Sequence, residues 1–192
     1  MVWWTFTDWA QLVVNAPDSD VTFRSSDNVL FHVHRRNLKT HAAAFPLPKL
    51  KTSGEVIELT EDSSILELLF QFMYPQYPPE LEKVTFSTTE SLAEAAEKYQ
   101  AFSAIFACRV FFRYILHDFL CCRYSSPDGR SVTAQYPIGI FVYAVRHGQD
   151  ELINKCAPFL LEKPLVELAV LPDDLFKRWV ITVFLPGVTA DN

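Results

Sequence analysis

Glycine is scarce in this chain: five residues among 192, scattered, with none of the Gly-x-Gly-x-x-Gly, Gly-x-Ser-x-Gly or phosphate-loop spacings. Backbone amides alone therefore cannot build a phosphate cradle, and a nucleophile-elbow hydrolase is not indicated. Positive charge is equally thin. Formal net charge is −6, pI about 5.3, and no basic run exceeds the pair Arg35–Arg36. A chain that gripped a phosphate backbone would carry a basic stripe, so nucleic acid is not an expected partner.

Cysteine is sparse too. The four residues at 108, 121, 122 and 156 lack Cys-x-x-Cys spacing, and the adjacent Cys121 and Cys122 are poorly disposed to bridge. Reduced thiols in a cytoplasmic or nuclear protein are the expectation. The first residues, Met1 to Phe6, have neither the positive leader nor the continuous apolar stretch of a secretory signal. Residues 102–122 are the most apolar long stretch, but Arg109, Arg113 and His117 recur at i, i+4 and i+8. That spacing predicts a polar stripe on a mostly buried helix rather than a membrane span, so no membrane partner is expected.

What the chain has in quantity is aromatic bulk: 16 Phe, 7 Tyr and 4 Trp. Large rings must fill a dense interior or meet a partner. Trp3, Trp4, Phe6 and Trp9 crowd the N-terminal arm, residues 1–17, which reads equally as a lid on the core or as an arm for a second subunit.

From residue 18 onward the pattern becomes that of a folded core. The β-branched and aromatic runs Val21–Phe23 and Val29–Val33 flank the turn residues Ser25, Ser26, Asp27 and Asn28, which predicts a hairpin. After Val33 the apolar period lengthens, placing Leu38, Ala42 and Phe45 on one helical face, with Arg35, Arg36 and Lys39 mainly off it. Pro46, Pro48 and Gly54 bracket a link to a strand at 55–59, and a helix over 63–74 stops at Pro75. Ser87 to Glu90 has capping-box spacing and predicts a helix to about Gln100; a second helix spans 103–121. Three strands followed almost wholly by helices predict an α+β fold, a small three-stranded sheet flanked by helices. Residues 123–136 read as a linker or loop. Residues 137–186 read as an all-helical C-terminal extension, with helices from Pro137 to His147–Gly148, from 150 to 161, and two more punctuated by Pro164 and Pro172.

Here the sequence resembles a known family. His34, Leu38, Ala42 and Phe45 stand at the spacing of the BTB (POZ) signature, His-x-x-x-Leu-x-x-x-Ser-x-x-Phe, with Asp20–Val21 matching the preceding Asp-Val strand. Downstream, Val56–Asp62, Leu66, Leu69, Phe72, Tyr74–Pro75, Leu92–Tyr99 and Cys108 continue the match, which covers 18–122 and is most similar to stand-alone fungal BTB proteins. The resemblance implies a homodimer or another protein partner, no reaction and no cofactor, with His34, Leu38 and Phe45 structural. It also implies that Asp20 and Arg35 form the charged pocket of a dimer groove; a surface pair of little energetic consequence is the alternative. The family's Ser is Ala42 here. Relatives that recruit cullin scaffolds carry a hydrophobic-x-Glu motif after the signature Phe, which residues 46–54 lack; Val56-Ile57-Glu58 fits only formally. A substrate adaptor of a cullin-type ubiquitin ligase is the alternative function.

Other constellations have simpler readings. His32, His34 and His41 lack a fourth ligand for zinc, and no metal site is expected. The cysteines fall in apolar helical runs, where thiols are inert, so no enzyme is expected. A cysteine or metal hydrolase is the remaining alternative. The acidic pairs Glu61–Asp62 and Asp173–Asp174 precede apolar helical runs and are read as helix N-terminal charges.

Overall fold

The computed structural model describes residues 18–45, 56–122 and 136–161, with Phe176, Lys177 and Val180. The aromatic arm, the 46–55 link, the 123–135 segment and nearly all of the two last predicted helices, Asp173–Asp174 included, lie outside the described residues. Contacts divide the chain into two compact units, Met1–Arg109 and Val110–Asn192. The join expected from composition lies outside the described residues.

In the first unit, β1 (Val21–Arg24) and β2 (Leu30–Val33) pair antiparallel, Val21 opposite Val33 and Arg24 opposite Leu30. The turn closes because Ser25 Oγ accepts the Val29 amide at 2.9 Å and Asn28 takes a left-handed φ of 66°, a conformation Asn tolerates. The third strand, β3 (Val56–Glu58), joins β1 on its other side and runs parallel to it, giving the order β2-β1-β3. Alternation along β1 and β2 puts Val21, Phe23, Phe31 and Val33 inside.

Helix α1 (Arg35–His41) is shorter than the apolar spacing predicts. Only Leu38 uses a helical position. Ala42 is already extended and bridges Ala101, and the Ala43 and Ala44 amides donate to the Gln100 and Tyr99 carbonyls. These main-chain bonds to a distant turn replace the next helical turn. Phe45 still reaches the core, stacking on Tyr99 at 4.3 Å between centroids. The signature spacing thus marks buried positions, but the last two lie beyond the helix.

Helix α2 (Ser63–Gln71) starts at Asp62, whose carboxylate accepts the Ile65 amide at 3.0 Å, while Asp27 accepts the Ser63 amide at 2.8 Å. It ends before the predicted residue 74, and Pro75 explains why. A proline has no N–H for the carbonyl four residues back, and its ring crowds that carbonyl. The carbonyl is Gln71's, and the Gln76 side-chain amide takes it instead, at 3.2 Å. Beneath α2, Phe70 meets Phe23, Phe31 and Phe45 with centroids 5.4–5.9 Å apart, the aromatic centre of the unit.

A short 3-10 turn (Leu81–Lys83) leads to α3 (Phe86–Tyr99). Its cap is Thr85, two residues before the predicted Ser87: Thr85 Oγ1 accepts the Thr88 amide at 3.2 Å. Gln100, at φ 52°, ends it in a left-handed cap. Helix α4 (Phe102–Cys122) follows at once.

In the second unit, α5 (Tyr136–Arg146) ends with Gly148 at φ +63°, where the Gln149 amide closes back on the Ala144 carbonyl at 2.7 Å. Helix α6 (Asp150–Leu161) opens on two acidic residues, which suit the positive end of a helix. Phe112 of α4 meets Tyr143 edge to face at 5.2 Å, and Arg113 bonds Glu151 at 3.0 Å. The fold is α+β: a mixed three-stranded sheet and, among the described residues, six α-helices.

Candidate functional site

Three features of the surface stand out. The first lies where β2 passes into α1. His34 is the N-cap residue of α1, but its side chain does not cap; it turns to Tyr74. The Tyr74 hydroxyl accepts the His34 main-chain amide at 3.0 Å and lies 3.0 Å from Nδ1 of the same residue. On the other side of the ring, Nε2 donates to an Asp18 carboxylate oxygen at 3.0 Å. Burial, opposed by the His34 amide bond, holds the Tyr74 phenol above its ordinary pKa. His34 is thus committed on both ring nitrogens to structural partners, and His32 to Thr22 at 3.0 Å.

Asp20 supplies the capping that His34 does not. Its carboxylate accepts the amide of Arg35, the first residue of α1, at 2.7 Å, whereas the Arg35 Nε lies 3.9 Å from it. The structure brings the two residues together, but the short contact is to the main chain. A carboxylate on a helix-initiating amide satisfies one of the orphan donors of the first turn.

The second feature binds α3 to the β3–α2 junction. Glu61 does not cap α2 as read from sequence; of the acidic pair, only Asp62 does. Glu61 accepts bonds from Lys98 Nζ at 2.6 Å and from the Tyr99 hydroxyl at 2.5 Å. Burial pushes its carboxyl up, but the bonds from Lys98 and Tyr99 outweigh this and hold it below the usual carboxylate range. The Tyr99 phenol is pushed well up, by burial first and then by Glu61. Val56-Ile57-Glu58, the formal match to the cullin motif, is β3 itself, with Glu58 bonded to Arg24 at 3.2 Å.

The third feature is apolar. Helix α4 buries Ala104, Ile105, Cys108, Phe112 and Leu116. On its other side Phe102 and Phe106 are 62% and 67% exposed, and Val110 and Tyr114, 43% and 57% exposed, continue the same row at steps of four. The helix is therefore not mostly buried, as the polar stripe suggests. Arg109 and Arg113 flank the row, bonded to Glu97 and Glu151 at 2.9 and 3.0 Å. A groove of about 1290 Å³ lies elsewhere on the first unit, lined by one face of α2, the proline-rich 75–80 loop and the start of α3.

The buried thiols offer no nucleophile. Burial, aided by Glu97, pushes Cys108 up to about 12, and burial raises Cys156 further. The side chains of Cys121 and Cys122 lie outside the described residues, as do Trp3, Trp4, Phe6 and Trp9. Among the described residues no three His, Cys, Asp or Glu side chains are grouped to hold a metal ion, and no helix is long and apolar enough to cross a membrane.

No family model and no curated protein matches the chain.

Proposed function

We propose that the chain is a non-enzymatic protein-interaction module of the BTB kind, which associates with a second copy of itself or with another protein. The carrying observation is the row Phe102, Phe106, Val110 and Tyr114 on α4. Contiguous apolar surface of this kind marks an interface rather than a solvated face. The row extends about 18 Å at 1.5 Å per residue, and rows at i±4 are the ridges that interdigitate when two helices cross near −50°.

The BTB reading is supported by the hairpin, by His34 at the head of α1, by burial of Leu38, Ala42 and Phe45, and by helices α2 to α4 in the expected order. Its expected groove pair, Asp20 and Arg35, is in contact, and the aromatics of residues 1–17 remain candidates for the same interface. The cullin-adaptor reading has weaker support, because its only motif match is tied into the sheet; binding to a cullin N-terminal domain in a pull-down would favour it.

The test is the solution mass of the full chain by light scattering. A dimer that becomes monomeric on Phe102→Glu plus Phe106→Glu, with unchanged circular dichroism, is the expected result. A wild-type chain that stays monomeric at its solubility limit would remove self-association. A double variant that keeps the dimer mass would remove the α4 row as the interface.

A further inference from the structure

Ser64, Glu67, Leu68 and Gln71 recur at i, i+3, i+4 and i+7, so they share one face of α2, and that face is one wall of the 1290 Å³ groove. Pro75, Pro78 and Pro79 stiffen the loop that lines it, since each ring fixes its own φ. Tyr77 in that loop is 96% exposed, its ring unused by the chain's own core.

The charges of the groove are not balanced. Glu80 already holds Lys83 at 2.9 Å. Glu67 is half-buried beside Leu68, yet among the described residues it makes no hydrogen bond or ion pair. A carboxylate partly removed from water without a counter-charge is costly, and a cation brought to it recovers that cost. Burial alone holds its carboxyl above the ordinary carboxylate range. The chain's net charge of −6 would draw a cationic partner from a distance. The volume exceeds the roughly 300–1,000 Å³ of small-molecule pockets, and suits several residues of polypeptide.

We propose that this groove receives a segment of a second protein in which one lysine or arginine is flanked by apolar side chains, the cation meeting the Glu67 carboxylate. The apolar neighbours pack on Leu68, Val84, the prolines and the Tyr77 ring. The proposal rests on the reading of the chain as an interaction module, but it uses a surface separate from the α4 row.

The probe is a random twelve-residue peptide library displayed on phage and selected against the immobilised full chain. Selected sequences are expected to carry a Lys or Arg among apolar residues. Their synthetic peptides should lose at least about tenfold in affinity on Glu67→Gln, as charge-assisted hydrogen bonds do, and should weaken with added salt. Tyr77→Ala, at a solvent-exposed ring, should weaken them without touching the fold. Enrichment of peptides without a basic residue, or binding indifferent to both substitutions, would overturn the proposal. Peptides lost instead on Phe106→Glu would overturn it while sparing the interaction module. Failure of any sequence to enrich would also overturn it, and the light-scattering mass then reports separately on self-association.

Discussion

The Tyr74 hydroxyl stands 3.0 Å from both the main-chain nitrogen and Nδ1 of His34, joining the end of α2 to the head of α1 across forty residues of sequence. One phenol thus holds the residue at the head of α1 by its main chain and its ring at once, while Asp18 takes the other ring nitrogen.

Tyr74→Phe removes that hydroxyl and leaves a part-buried amide and ring nitrogen without it. Unsatisfied groups of this kind cost about 1–3 kcal/mol. The urea midpoint should fall by the corresponding amount with the slope unchanged. An unaltered midpoint would mean that water or a neighbour replaces the hydroxyl at no cost.

Glu61 makes stability depend on acid. Its folded pKa lies below the ordinary 4.5, burial being outweighed by the bonds from Lys98 and Tyr99. Its contribution is therefore complete above the unfolded value and is lost as pH falls through the folded one. Wild type should lose stability steeply below about pH 4.5. Glu61→Gln should be less stable at pH 7 and flatter on acidification, because the difference between the two isolates this one carboxylate from Asp18 and Asp27, whose carboxyls are also lowered. Parallel pH profiles for the two proteins would contradict this.

Cys108, pushed up to about 12 by burial and Glu97, and the still higher Cys156 are thiols, not thiolates, at pH 8. Since the thiolate is the reactive form, iodoacetamide should leave both unmodified in the folded chain and alkylate both in urea. Peptide mapping separates them from Cys121 and Cys122. Rapid alkylation of either buried thiol under native conditions would contradict this and favour the hydrolase alternative.

Local chemistry was the legible part of the sequence. The hairpin, the stop before Pro75 and the left-handed Gly148 each follow from residues within a turn of where they act. What was hidden is non-local. The parallel pairing of β1 with β3, the end of α1 at the Ala42–Ala101 bridge and Asp20 capping α1 from just before β1 all depend on segments distant in sequence. Glu61 looked like a capping acid because Asp62 beside it is one; only the approach of Lys98 and Tyr99 tells the two apart. The apolar row on α4 escaped for another reason. Phe106 and Phe112 are the same residue type on one helix, and with apolar side chains on nearly every face, periodicity cannot say which face meets the core. The groove had a faint signal in the spacing of Ser64, Glu67, Leu68 and Gln71 ahead of a proline-rich loop.

The sheet itself restricts how the first unit can meet another chain. With β1 in the centre, the two outer strands are four and three residues long, so each bares only about 13 Å and 10 Å of backbone to an incoming strand. Margins that short make poor templates for continuing a sheet from one molecule into the next. Among the described residues, what the first unit offers a partner is therefore mainly side chain.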